Sequence, residues 1–333
     1  MNMNNRFFAV CLFALTAFAN GCAPSQSSLP SGKTGMERVS VQLNWYAEAE
    51  HGGVYQANVD GTYKDAGFEV EIRPGGRATP VAAEVVLGRA DFAITNADDV
   101  VLYRAAGSDI VALMTALQDN PRCIMTRKDA NVGTWEDLEG MTLQRQEGQG
   151  FVEFLRAKGT LKGVQEVPYH GSVSNLVSDP KIAIQGYSFA EPFLAKEAGA
   201  DVNLLMVSEL GWNPYSSVLV TRGDLIKNKP ELVAKFVEAT TKGWRKYVED
   251  PTEGNKSILA ANEHGMTAAA LEFGSKALVE LARPDGMPVN EIGKMSADRW
   301  TALVNQMVEM KLIEPDSVKP EDCFSDQFFT SSP

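Results

Sequence analysis

Positive charge is in short supply: 31 Lys and Arg stand against 43 Asp and Glu, for a formal net charge of -12. Unspecific binding to a polyanion needs a basic footprint, so nucleic acid is excluded as the working partner. Histidine is scarce too, and His51, His170 and His264 are far apart without HExxH or other ligand spacing. No CxxC pair or Cys/His cluster exists, which removes zinc and thioredoxin-type sites. No run of 18 apolar residues occurs, so an ordinary spanning helix is absent. The nucleophile-elbow pattern is missing, since YHGSVSN lacks its second glycine. Gly148-Gln149-Gly150 is followed by neither a third dinucleotide-type glycine nor Gly-Lys-Ser/Thr. Those glycines either present helix N–H groups to a ligand or merely make a strand-to-helix turn. Neither a metal nor a cofactor is expected.

What is present is a chain of 333 residues, 44% apolar, long enough for roughly two domains with sizeable cores. Residues 1–21 have Arg6 near the start and an apolar stretch from Phe7 to Ala19, the anatomy of a secretory signal. The sequence Ala19-Asn20-Gly21-Cys22 resembles a bacterial lipobox, which makes Cys22 the expected lipidated first residue and membrane anchor. Residues 22–36, rich in Ser, Pro and Gly, read as a flexible tether. Cys123 and Cys323 remain for the folded part, as a disulfide or as two buried thiols.

From residue 37, short β-rich runs alternate with helical stretches, the mark of an α/β fold with mainly parallel sheets. One block runs from ERVSVQLNW to IVALMTAL and a second from MTLQR to VNLLMVSEL. The last third is helical. PELVAKFVEATTKGWRKYVED sets Val233, Phe236, Val237, Thr240, Trp244 and Tyr247 on one face, and SADRWTALVNQMVEMKLI does the same with Trp300, Leu303, Met307 and Leu312. These faces predict core.

Trp45, His51-Gly52-Gly53 and the turn Gly61-Thr62-Tyr63 through Gly67, followed by LGRADFAITNADDV, GYSFAEPFLAKEAGADV and the NPYSS stretch, resemble the NMT1/THI5-like group of periplasmic substrate-binding proteins. The resemblance covers about residues 38–330. It implies a two-lobed periplasmic binding protein, type II-like, with two crossovers and a helical C-terminal segment. Crossovers near Pro121–Arg127 and Asn213–Arg222 place residues 37–122 and 221–333 in lobe 1 and 123–220 in lobe 2. It further implies a monomeric carrier that closes on a small molecule and delivers it to an ABC permease and its ATPase. A receptor-presenting role in signalling is an alternative. One branch of the group is enzymatic, the thiamine pyrimidine synthase, with a lysine and a histidine in the segment matching DFAITNADDV. Here Thr95 and Asp99 stand at those places, and Asn213–Ser217 lacks the cysteines of the synthase's iron site. No enzyme is therefore expected.

Open α/β sheets bind ligands at strand ends. The candidates there are Asn44, Trp45, His51, Asn96, Asp98, Tyr187, Glu191, Asn213 and Tyr215. Trp45 and Tyr187 suit stacking on a flat ring, although either also suits the core, and Asp98 also suits a helix start. The cleft's expected carboxylates, Glu48, Glu50, Asp98, Asp99 and Glu191, repel an anion and favour a ligand rich in N–H groups. The order of preference is a thiamine-pyrimidine precursor, then riboflavin, then a sulfonate or nitrate.

Overall fold

Ten strands emerge from the alternating pattern in the computed structural model, which describes residues 35–329. The signal segment and Cys22 lie outside the described residues. The strands are β1 (Glu37–Gln42), β2 (Phe68–Arg73), β3 (Phe92–Thr95), β4 (Ile110–Leu117), β5 (Arg122–Arg127), β6 (Thr142–Arg145), β7 (Gln165–Pro168), β8 (Ile182–Tyr187), β9 (Val202–Met206) and β10 (Ser216–Arg222). They build two five-stranded sheets, ordered β2-β1-β3-β10-β4 and β7-β6-β8-β5-β9. The molecule is thus a two-lobed α/β fold.

Both sheets are mixed. β1 pairs in parallel with β2 and β3, and β6 with β7 and β8, as strand–helix–strand units require. β10 runs antiparallel to β3 and β4, and β5 antiparallel to β8 and β9. These two opposed strands are the ones reached by crossing between the sheets. The boundary placed at 220/221 by the sequence needs correction: Ser216–Val220 already pair in the first sheet, so the return crossing precedes Ser216. A β-rich run read as a connection is in fact a central strand.

The helix Pro230–Glu249 packs its apolar face on the first lobe, and Phe236 stacks on Phe92 at 4.1 Å and on Tyr63 at 5.0 Å between ring centroids. The Gly52-Gly53 pair explains itself here. A Cβ at Gly52 would lie 2.1 Å from the Tyr247 ring, and one at Gly53 2.2 Å from that of Trp244. Only glycine lets the helix Gly52–Val59 approach this closely, and that contact fixes the loop 44–51 at the mouth of the cleft. The helix Ala297–Glu309 buries Trp300, Leu303 and Met307 as its pattern predicts, whereas Leu312 lies beyond its end and is only half-buried. Cys123 and Cys323 are both buried thiols, not a disulfide. Asn255 sits within the helix Thr252–Ala261, its Oδ1 accepting from Tyr247 Oη at 2.6 Å. No helix among the described residues is long and apolar enough to cross a membrane.

Candidate functional site

The ends of the parallel strands in both sheets converge on one cavity of about 300 Å³. The segment after β1 brings Asn44, Trp45, Glu48 and Glu50; that after β2 brings Gly76 and Arg77; that after β3 brings Asp99 and Tyr103. The second sheet contributes Gln146 and Gln149 after β6, Tyr169 after β7, and Tyr187 and Glu191 at and after the end of β8. This is the placement expected of open α/β sheets, whose loops diverge at the carboxyl ends of parallel strands.

The anchor of the second-sheet side is Arg122. It stands opposite Tyr187 in the antiparallel β5–β8 ladder, so its side chain reaches the same cavity. Its guanidinium lies 4.2 Å from the centre of the Tyr187 ring and 4.8 Å from that of Phe151, and its Nη2 donates to Tyr187 Oη at 3.0 Å. Asn96 Nδ2 donates to the same oxygen at 3.3 Å while Asn96 Oδ1 accepts from Ser216 Oγ at 2.7 Å. Asn96 is therefore a support that ties Tyr187 to the first sheet rather than a wall of the cavity. Sequence reasoning missed Arg122 because it begins a strand that looked like a connector.

His51 is completely buried and lines no part of the cavity, contrary to its reading as a contact residue. Its Nδ1 accepts from the Glu48 backbone N–H at 3.4 Å, which leaves Nε2–H to donate to Asn44 Oδ1 at 2.9 Å. Burial depresses its pKa to about 3, so the ring is the neutral tautomer that these bonds require. With Asn44 Oδ1 held from behind, the Asn44 amide nitrogen is turned toward Glu50 at the cavity wall.

Glu50 is the unusual member. It is 1% exposed and lines the cavity, and neither carboxylate oxygen has a hydrogen-bond partner among the described residues. His51 Nε2 is 3.4 Å away, but that ring is neutral and its N–H is aimed at Asn44. Desolvation raises the Glu50 pKa to about 7; the Arg122 charge and the Asn44 side-chain amide, a neighbouring donor, only partly offset it, and the Glu191 charge adds to it. Burial also raises Glu48 well above the carboxylate range, with repulsion from Glu50 and Glu191 adding to it. Asp99 is raised by the same cause although Thr95 Oγ1 donates to it at 3.0 Å. Glu191 is raised as well, but its oxygens are engaged: Oε2 accepts the Tyr187 backbone N–H at 2.7 Å and Oε1 the Tyr169 hydroxyl at 3.5 Å.

Three other sequence candidates lie outside this cavity. Asp98 faces the start of the helix Gly150–Ala157, where a Cβ at Gly150 would come within 3.4 Å of its Oδ2 and 3.0 Å of Trp212. Gly150 thus makes room for packing, and burial raises Asp98 to about 7. Asn213 accepts the Asn120 backbone N–H at 2.7 Å and donates to Asp119 at 2.8 Å, stapling the two crossing segments together. Tyr215 is buried under the Arg299 guanidinium, 3.9 Å from its ring centre, and its hydroxyl accepts the Ser296 N–H. Both sit outside the cavity because the chain crosses between lobes there, at the very start of the Asn213–Arg222 stretch expected to cross. Among the described residues no cluster of His, Cys, Asp and Glu is arranged to hold a metal ion.

The chain is 25% identical over 250 residues to the riboflavin-binding protein RibY of Chloroflexus aurantiacus, covering 72% of this chain and 71% of that one. It is 23% identical over 328 residues to a formylaminopyrimidine-binding protein of Halalkalibacterium halodurans, covering 96% and 98% of the two chains. A 4-amino-5-hydroxymethyl-2-methylpyrimidine phosphate synthase of Legionella pneumophila is 21% identical over 310 residues, covering 89% and 93%. Among solved structures, the periplasmic aliphatic sulphonate binding protein SsuA from Escherichia coli superposes with a TM-score of 0.66 at 12% identity, covering 86% and 91%, a likeness of fold. The family model described as NMT1/THI5 like matches residues 48–254, more than half of the sequence, and the chain belongs to the NMT1/THI5-like family.

Proposed function

We propose that this protein is the extracytoplasmic solute-binding component of an ABC importer, and that it captures a small planar N-heterocycle of the thiamine-pyrimidine class between its lobes. The observation that carries the reading is Glu50: a buried carboxylate, without a donor among the described residues, at a cavity flanked by Tyr187 and Trp45. Leaving such a group unsatisfied costs ~1–3 kcal/mol or more, which a ligand amino group or ring N–H would recover. Asn44 lines the same wall beside Glu50, and Tyr187 and Trp45 supply flat faces. An anion such as a sulfonate would meet four carboxyl groups, Glu48, Glu50, Asp99 and Glu191, against the guanidiniums of Arg77 and Arg122, the latter already stacked against two rings.

A synthase chemistry has little to work with. Thr95 and Asp99 both line the cavity, but they bring neither an amine for a Schiff base nor an imidazole. Relatives named as binding proteins support a carrier, and in our reading Cys22 carries the lipid that holds a monomer beside its permease and ATPase. Calorimetry with 4-amino-5-hydroxymethyl-2-methylpyrimidine tests the reading. Binding to the wild type, weakened at least ten-fold by Glu50→Gln, is expected. Binding of taurine or nitrate in place of the pyrimidine would refute it.

A further inference from the structure

A second cavity of about 510 Å³ adjoins the first. The two share Trp45, Glu48, Arg77, Tyr169, Ala190 and Glu191, so they meet at a common mouth rather than lying on separate faces. Their walls differ in kind. The inner cavity is lined by carboxylates, amides and hydroxyls, whereas the outer one is walled by Tyr46, Phe189, Phe193, Leu194, Met266 and Leu271. Tyr46 is itself packed on His264, with 3.9 Å between ring centres, which holds a flat aromatic wall in place.

Size separates the roles. At about 30 Å³ per water in the liquid, 300 Å³ matches roughly ten non-hydrogen atoms, one substituted six-membered ring. A single ring bound at Glu50 therefore fills the inner cavity and leaves the larger apolar one empty. Charge narrows the occupant further. Glu48, Glu191 and Glu197 face the outer cavity against one guanidinium, that of Arg77. A cation entering there would draw the Glu48 carboxyl back toward its ionised form and gain its charge, whereas an anionic group such as a phosphate would face those carboxyl groups with a single guanidinium for partner.

We infer that the ligand has two parts: a hydrogen-bonding heterocycle in the inner cavity, and a second, positively charged aromatic ring in the outer one, joined past Trp45 and Glu48. The inference rests on the inner cavity being the heterocycle site. Glu48 stands at the mouth, where it gives up its proton as the cation arrives and pairs with it, while Trp45 stacks beside the link.

Three probes and two variants test it by calorimetry on the full mature chain. The probes are the single-ring 4-amino-5-hydroxymethyl-2-methylpyrimidine, thiamine, in which that ring carries a cationic thiazolium, and the neutral thiophene analogue of thiamine. Thiamine should bind at least ten-fold tighter than the single ring, and the neutral analogue should fall between them. Ala270→Trp, or Leu194→Trp should the first variant fail to fold, fills the outer cavity and should erase the two-ring advantage while single-ring affinity stays within about three-fold. Equal affinity for the single ring and thiamine, with no effect of either tryptophan, overturns the second subsite and leaves the heterocycle site standing. Equal affinity for thiamine and its neutral analogue overturns the cationic assignment. No binding by any probe overturns both this inference and the reading beneath it.

Discussion

Replacing Glu50 by Gln isolates the buried carboxylate while keeping its shape. An ordinary glutamate titrates near 4.5, whereas Glu50 is raised to about 7 by desolvation. A raised carboxylate pKa means that the fold favours the protonated form. Its contribution is fully present below the unfolded value and is lost as pH rises through about 7. The whole difference corresponds to about 3 kcal/mol, of which roughly 2–3 kcal/mol is lost between pH 5 and pH 8. At about 2–4 °C per kcal/mol for a domain of 150–250 residues, that is roughly 5–10 °C in Tm. Thermal unfolding followed by circular dichroism should therefore show the ligand-free wild type melting lower at pH 8 than at pH 5. Glu50→Gln should recover about that much of the loss, and it also relieves the repulsion on Glu48. At a hundred times the wild-type Kd a pyrimidine adds about 2.7 kcal/mol to the wild type, and a variant weakened ten-fold should keep only about 1.4 kcal/mol of that, less if the loss of affinity is greater. Parallel melting shifts in the two proteins, with and without pyrimidine, would show that Glu50 is already satisfied in the free protein and would refute the argument.

Trp45→Ala should weaken pyrimidine binding by ~1–3 kcal/mol, the range of ring stacking, with its tryptophan fluorescence response lost; unchanged affinity in a folded variant would leave Trp45 as wall only. Gly53→Ala should destabilise by ~1–3 kcal/mol or more through collision with Trp244, read by urea titration, and an unchanged midpoint would mean that the helix pair has slack. His51→Ala should cut affinity although His51 touches no ligand, because Asn44 loses its anchor at 2.9 Å; equal affinity would make His51 a core residue alone. Cys22→Ala should move the protein from the detergent phase to the aqueous phase in a partitioning assay, and an unmoved protein would end the lipid reading.

Period and punctuation are local, and they were enough to mark out the two α/β blocks, the apolar face of Pro230–Glu249 and the segments bearing Asn44, Trp45, Tyr187 and Glu191 at strand ends. A strand's alternation does not name its partner, however. The two crossovers were expected from the family resemblance, but that they are themselves strands, β5 and β10, inserted antiparallel into the sheets came from long-range pairing alone, which set Arg122 opposite Tyr187 and left Asn213 and Tyr215 outside the cavity. Burial is equally non-local. His51 and Glu50 are neighbours in sequence with nothing to distinguish them as buried, and it is packing by the helix Pro230–Glu249 on the Gly52-Gly53 pair that seats their loop. That removal from water makes one of them a neutral support and the other a carboxylate awaiting a donor. Desolvation is a property of what surrounds a side chain in space, and those surroundings come from segments nearly two hundred residues away.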